Sequence, residues 1–341
     1  MDLELGIDTF GDITVDPDGT PLSHAQVIRN VVAEAVLAEQ SGLDVVGLGE
    51  HHRADFAISS PELVLAGIAT LTQRLRLASA VTVLSSDDPV RVFERFSTLD
   101  ALAHGRAEVI VGRGSFTESF PLFGFDLADY QELFEEKLAM FVKLRAQGRL
   151  SWDGKLTQSL KDVEVYPPVE DPPLTTWVAV GGSPESVIRA ARHGLDLMLA
   201  IIGGSVERFT PFVQLYHRAL DQLGQPQRRV GYHSFGHVAE TDSEAVEQYF
   251  RPYVTTMNRI GRERGWRRPT RESFQYELEH GSMVVGSPET VARKIAAGAR
   301  ALGASRFSMK VSNGPLAHEL VSNSIELYGS KVAPLVRDML A

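Results

Sequence analysis

The 341-residue chain contains no cysteine. Disulfides, thiolate nucleophiles, iron–sulfur clusters and cysteine-based zinc sites are excluded together, so any metal would have to use histidine and carboxylates. Long apolar runs are also missing. None approaches the roughly 20 residues of a spanning helix, and Met1-Asp2-Leu3-Glu4 lacks the charged-then-apolar pattern of a secretory signal. A cytoplasmic protein is expected, with no membrane partner. Basic residues are in deficit, 34 Lys and Arg against 44 Asp and Glu, for a net charge of -10. That balance favours solubility and argues against a phosphate-binding surface for nucleic acid. No Gly-x-Gly-x-x-Gly follows a strand-like run, because Gly112-Arg113-Gly114 continues to Thr117, so a dinucleotide fold is not supported.

What is present is a regular alternation of short apolar runs with stretches of helical period, the pattern of parallel strands joined by crossover helices. Eight strands are expected near Leu3 to Phe10, Leu43 to Leu48, Leu75 to Val83, Arg106 to Val111, Thr175 to Val180, Leu195 to Ile201, Arg229 to Ala239 and Arg306 to Val311. Between the first two, Ser23 and Gln26 suggest a capping box, Val27, Ile28, Val31, Val32 and Ala35 form one apolar face, and Gly42 supplies a stop. Eight such units close most naturally into a (β/α)8 TIM barrel of the α/β class; an open doubly wound sheet is the alternative, because strand order is not readable. The whole chain, 1–341, is expected to be one domain.

Two segments break the rhythm. Gly148 to Pro173 holds the turn dipeptide Asp153-Gly154 between β-prone runs, then Tyr166-Pro167-Pro168 and Asp171-Pro172-Pro173, and reads as a hairpin and extended connector. After strand seven, Asp242 to His280 carries a helical stretch and the run Gly261 to Pro269, far longer than a usual βα connection. An insertion or lid is expected there.

Four strand exits carry unusual residues. The second gives Glu50-His51-His52, two imidazoles and a carboxylate suited to proton handling. The third gives Ser79-Ala80 and then Leu84 to Pro89. In the fourth, Gly112-Arg113-Gly114-Ser115-Phe116, glycines allow close backbone approach and the arginine can pair with an anion. In the fifth, Gly181-Gly182-Ser183-Pro184-Glu185-Ser186, Ser183 caps a helix whose first position is Pro184, leaving amides aimed at an anion. A similar turn, Gly286 to Thr290, reads as a helix cap only. A metal at Glu50-His51-His52 is disfavoured, since neighbours leaving a strand point apart whereas helical metal motifs put two histidines on one face.

Together these residues resemble the bacterial luciferase-like flavin monooxygenases. The similarity runs through Gly42-Leu43-Asp44, Glu50-His51-His52, Leu84 to Arg91, Leu99-Asp100, His104-Gly105-Arg106, Val111 to Gly114 and Leu122-Phe123-Gly124. It resumes at Gly181 to Ser186 and Ala190 to Leu195, and fades between about Asp242 and His280. The resemblance implies a barrel that binds reduced FMN at its C-terminal face, reacts it with O2 and oxygenates a small organic substrate. It implies that His51 lies against the flavin and assists the oxygen chemistry with His52 and Glu50 nearby. It further implies that Arg113, Gly182, Ser183 and Ser186 hold the phosphate, and that a non-proline cis peptide at Ser79-Ala80 lies under the flavin ring. Reduced FMN would come from a separate NAD(P)H:flavin reductase, and a homodimer would form through the segment Pro61 to Leu71 with its Leu63, Val64, Ile68 and Leu71. The competing readings are a deazaflavin (F420)-dependent reductase or dehydrogenase on the same fold, and a flavin-binding protein without turnover. Phe10, Phe56, Phe116, Phe120 and Phe123 stand near strand exits, where they could line an apolar pocket.

Overall fold

The computed structural model describes residues 2–341 apart from Ser115 and Pro172. Met1, the Ser115 of the glycine turn and the Pro172 of the connector therefore lie outside the described residues. The strands in chain order are β1 (Glu4–Thr9), β2 (Val45–Leu48), β3 (Arg76–Ser79), β4 (Thr82–Val83), β5 (Ala107–Gly112), β6 (Leu150–Trp152), β7 (Leu160–Val163), β8 (Thr175–Val180), β9 (Asp196–Ala200), β10 (Val230–Val238), β11 (Val284–Gly286) and β12 (Arg306–Lys310). Strands β1, β2, β3, β5, β8, β9, β10 and β12 neighbour one another in that order, all parallel, and β12 pairs with β1 to close the ring. The sheet is therefore a closed eight-stranded barrel rather than an open one. Its strands are largely buried on both faces because one face meets the barrel interior and the other the helices, as in β2, where all four residues are buried.

The surrounding helices start where the sequence marks them. Helix α1 (His24–Gln40) is capped by Ser23, whose hydroxyl accepts from the Gln26 amide. Gln26 turns its own side chain to Asn30, so only half of the expected box forms. Helix α2 (Pro61–Ala69) buries Leu65 and Ile68 and leaves Leu63 72% exposed. Helix α3 (Pro89–Leu102) is capped by Asp88, which accepts from two amides, while the neighbouring Asp87 pairs with Arg95. The acidic pair after the third strand is thus structural.

Short α4 (Ser119–Phe123) and long α5 (Tyr130–Arg145) follow β5, and β6 and β7 form the expected antiparallel hairpin. Helices α6 (Pro184–Arg192) and α7 (Thr210–Gln222) cover β8 and β9. The long segment after β10 is two helices, α8 (Asp242–Arg264) and α9 (Arg271–His280), before β11 joins the β10 edge. The first four residues of the Gly261 to Pro269 run continue α8 to its stop at Gly265, whose φ of 68° fits a left-handed cap. Helices α10 (Pro288–Leu302), α11 (His318–Leu327) and α12 (Ala333–Leu340) complete the outer layer. Among the described residues, no helix is long and apolar enough to cross a membrane.

The third strand departs from the sequence reading. It is interrupted, and the non-proline cis peptide joins Ala80 to Val81, one bond later than the expected Ser79-Ala80. Ser79 is still held in the sheet: it pairs with Leu48, and its hydroxyl bonds both the carbonyl and the amide of Ile110 at 3.2 Å. The chain leaves the ladder only afterwards, where the Val81 carbonyl accepts from the Glu50 amide.

The barrel interior is stratified. At its N-terminal end Arg306 and Glu108, both 0% exposed, pair with each other, while Arg306 and Arg76 also reach Glu4. Burial acts to raise the Glu108 carboxyl, but the Arg306 guanidinium outweighs it and holds the group at about 2. Removing one partner from such a pair costs about 3–5 kcal/mol, because the other charge is left buried alone. Above it lies an apolar layer of Val45, Ala78, Ile110, Trp177 and Met198. Nearer the C-terminal end the interior positions become small, with Gly47, Ala80 and Ala179, and ionisable, with Asp8, His233 and Lys310.

Candidate active site

The Glu50-His51-His52 run leaves β2 at the C-terminal mouth, and its two imidazoles do separate. His51 stacks on Phe56 at 4.5 Å between ring centroids and meets the edges of Phe10 and Phe116 at 4.8 and 5.0 Å. Its Nδ1 lies 3.5 Å from Oε1 of Glu118, a residue from the loop after β5. Burial acts to raise the Glu118 carboxyl, but the His51 contact and nearby amides outweigh it and leave the group below its ordinary range.

His52 turns the other way. Its Nε2 is 2.8 Å from Oε1 of Glu50, and its ring meets the edge of Phe123. The second Glu50 oxygen accepts the Val83 amide at 2.8 Å, so this 8%-exposed carboxylate is fixed on both sides. Its hydrogen bond raises the pKa of His52 despite the opposing effect of burial. Glu50 therefore holds His52, while His51 presents its ring among aromatic side chains.

The second half of the site is an anion cradle between β5 and β8. Ser183 caps α6, its hydroxyl accepting from the Ser186 amide at 3.3 Å, with Pro184 in the first turn. Gly182, at φ 97°, gives the backbone the left-handed turn that aims these amides outward. The guanidiniums of Arg113 and Arg189 both donate to Ser186 Oγ at 3.3 Å. Arg113 is further positioned by Gln131 at 2.9 Å and by the Tyr130 ring, and Arg189, 6% exposed, pairs with Glu135. One oxygen thus sits under two guanidiniums and a helix N-terminus, an arrangement suited to a doubly charged phosphate. By contrast, the turn before α10 already carries a carboxylate, since Asp242 accepts from the Ser287 amide and the Thr290 hydroxyl. It serves as a helix cap, as its sequence suggested.

The insertion reaches this mouth. Arg53, just beyond His52, bonds both oxygens of Glu263, Arg259 pairs with Asp55, and Arg53 and Arg264 lie 4.7 and 4.8 Å from the Phe116 ring. Of the five phenylalanines at strand exits, Phe10, Phe56 and Phe116 surround His51 and Phe123 meets His52. Phe120 instead packs in the core beside Tyr130.

Sequence reasoning missed Glu118, Arg53 and Arg189. Arg189 had a legible signal, since it lies one helical turn after Ser186 and so on the same face. Glu118 and Arg53 had none, because their roles depend on contacts between distant segments.

Comparison with known proteins follows the same outline. The luciferase-like monooxygenase family profile matches residues 5–306. The alkanal monooxygenase alpha chain of Photobacterium leiognathi is 24% identical over 344 residues, covering 93% of this chain and 95% of the relative. Among solved structures, monooxygenase RslO1 from Streptomyces bottropensis superposes with a TM-score of 0.84 at 22% identity, over 97% of this chain and 99% of the other. The oxygenating constituent of 3,6-diketocamphane monooxygenase from Pseudomonas putida, in complex with FMN, gives 0.77 at 19%, over 98% and 99%. The coenzyme F420-dependent tetrahydromethanopterin reductase of Methanopyrus kandleri gives 0.71 at 15%, over 98% and 99%, so the fold is common to different redox chemistries. With a profile match across most of the barrel, the chain belongs to the luciferase-like monooxygenase family.

Proposed function

We propose that this protein is an FMN-dependent monooxygenase: reduced FMN, O2 and a small organic substrate give oxidised FMN, water and the substrate bearing one added oxygen atom. The observation that carries this reading is the convergence of Arg113 and Arg189 on Ser186 at the start of α6. Two guanidiniums with one carboxylate partner, Glu135, suit the dianion of a monophosphate ester better than the singly charged phosphodiester of a deazaflavin cofactor. The small side chains Gly47, Ala80 and Ala179 below the mouth leave space for a flat ring. The residues present therefore fit FMN.

In this reading Arg113, Gly182, Ser183 and Ser186 bind the phosphate and Arg189 supports them. Ser79 anchors the broken strand, and Ala80 would line the place of the flavin ring. His51 moves a proton at the flavin edge with Glu118 fixing its orientation, and Glu50 and His52 hold that loop in place. Phe10, Phe56 and Phe116, with the α8 end above them, exclude water. When bound, reduced FMN supplies the electrons that activate oxygen.

The reading extends to a cytoplasmic enzyme supplied with reduced FMN by a separate NAD(P)H:flavin reductase. It also extends to a homodimer formed through the segment Pro61 to Leu71, where Leu63 on α2 and Leu71 just after it are exposed. A stable monomer in light scattering would reject the dimer. The central test is anaerobic titration with FMN and with F420, followed by oxygen exposure of the reduced complex with candidate substrates. Tighter FMN binding and an oxygenated product are expected; preference for F420, or flavin reoxidation without any oxygenated product, would overturn the proposal.

A further inference from the structure

We infer that Asp8 and His233 form a proton-accepting site for an ionisable substrate hydroxyl, which makes a phenol or an enol the substrate class. This rests on the monooxygenase reading and adds to it a group on the substrate side.

The two residues stand on β1 and β10, with β12 between them. Asp8 pairs in register with Lys310 and Gly47, and His233 with Ser308 and Ala200. A Cβ added at Gly47 would lie 3.2 Å from the Asp8 Cβ and 2.9 Å from that of Ala80, which packs on the interior cluster. Asp8 therefore faces the barrel interior. Its Oδ2 is 2.6 Å from His233 Nδ1, so His233 faces inward as well. Both lie on the mouth side of Trp177 and Met198, and the in-register neighbour of His233 on β9 is the small Ala200.

The carboxylate of the pair is buried and only partly bonded. Asp8 is 1% exposed, and its Oδ1 is buried without a hydrogen-bond partner. The other charged groups facing this layer are Lys310 and Asp12, which neutralise each other at 2.7 Å. Asp8 is thus left with His233 as its only ion-pair partner among the described residues. A buried carboxylate stabilises an imidazolium beside it. By accepting a hydrogen bond from Nδ1–H, Asp8 also fixes the tautomer in which Nε2 carries a lone pair, and among the described residues Nε2 has no protein partner. The His233 side chain keeps 13% of its surface exposed, so a ligand can reach it.

A hydroxyl placed there transfers its proton to Nε2 while the O–H electron pair stays on the substrate oxygen. The imidazolium is balanced by Asp8, and the ionised oxygen enriches the adjoining carbons in electrons, which suits them to accept oxygen. The arrangement has the roles of an acid–base dyad rather than those of a structural pair, whose polar atoms would all be satisfied.

The test uses 4-nitrophenol, whose anion absorbs visible light, with 4-nitroanisole as an isostere lacking the hydroxyl. The full-length wild type should bind 4-nitrophenol as the anion at a pH where the free dye is largely neutral. His233→Gln should bind the anion about ten- to a hundredfold more weakly. Asp8→Asn should shift it the same way, and 4-nitroanisole should bind all three proteins alike. FMN affinity and circular dichroism measured on the same samples report folding. If either variant misfolds, His233→Asn replaces it. Binding of neutral dye by the wild type, equal anion binding by wild type and variants, or no binding of the dye would overturn the inference. Loss of FMN binding by the wild type would instead strike the cofactor reading.

Discussion

Arg53 and Glu263, 210 residues apart, are joined by two hydrogen bonds of 2.8 and 2.5 Å that tie the last turn of α8 to the loop after the histidine pair. Glu263 is 44% exposed, so a bond of this kind contributes only about 0.2–1 kcal/mol. An attachment that weak can open without unfolding the barrel. Glu263→Ala should speed hydrogen exchange in α8 while leaving the melting temperature nearly unchanged. Adding FMN should slow exchange in the wild-type insertion, 242–280. An insertion as protected as the barrel strands, and indifferent to FMN, would show that it is a fixed part of the wall.

His51→Ala should keep FMN affinity nearly intact, since the phosphate contacts lie on other strands. Product formed per reduced flavin should fall by about 10²- to 10⁴-fold, as expected for a lost acid–base group. Hydrogen peroxide should appear in its place. Glu118→Gln should give a smaller loss of the same kind, because it alters only how the ring is held. Full coupling in His51→Ala would make the residue an aromatic packing element.

Arg113→Ala removes a charge-assisted contact, for which a loss of about 1.5–3 kcal/mol is expected, or roughly ten- to a hundredfold in FMN affinity. Riboflavin, which lacks the phosphate, should bind the variant and the wild type equally. Fluorescence titration with both ligands decides the matter, and parallel losses would place the phosphate elsewhere.

The Glu50 hydrogen bond, which outweighs burial, keeps His52 protonated to higher pH than a free imidazole. The resulting stabilisation is fully present below the unfolded value of about 6.5 and is lost as pH rises through the higher folded value. An NMR titration should show this elevation in the wild type and its loss in Glu50→Gln. A His52 that titrates identically in both proteins would contradict the pairing.

The eight barrel strands were legible because each is a short apolar or alternating run set between stretches of helical period. Trp152-Asp153-Gly154 likewise announced the hairpin. The three-residue β11 was not, since Val284 to Gly286 is too brief to show a period and forms by pairing with the end of β10. Nor was the exact break in the third strand, which depends on Ser79 being held by Ile110. In the site, the histidine pair and the serine turn could be read locally. Glu118, which meets His51 from the loop after β5, and Asp8, which meets His233 across 225 residues, became visible only once the barrel closed. The same holds for the α8 latch: the capping box of Thr241 with Glu244 is local, whereas its docking on Arg53 is not.

The ion cluster at the far end of the barrel has a consequence for traffic. Trp177 lies between the guanidiniums of Arg229 and Arg306, 4.5 Å from each, and donates its indole N–H to Glu108. These contacts pack paired charge and an aromatic plate across the far end of the barrel. In the proposed reaction substrate and oxygen reach the mouth past α8, so a bound substrate also stands in the route by which water enters and peroxide escapes.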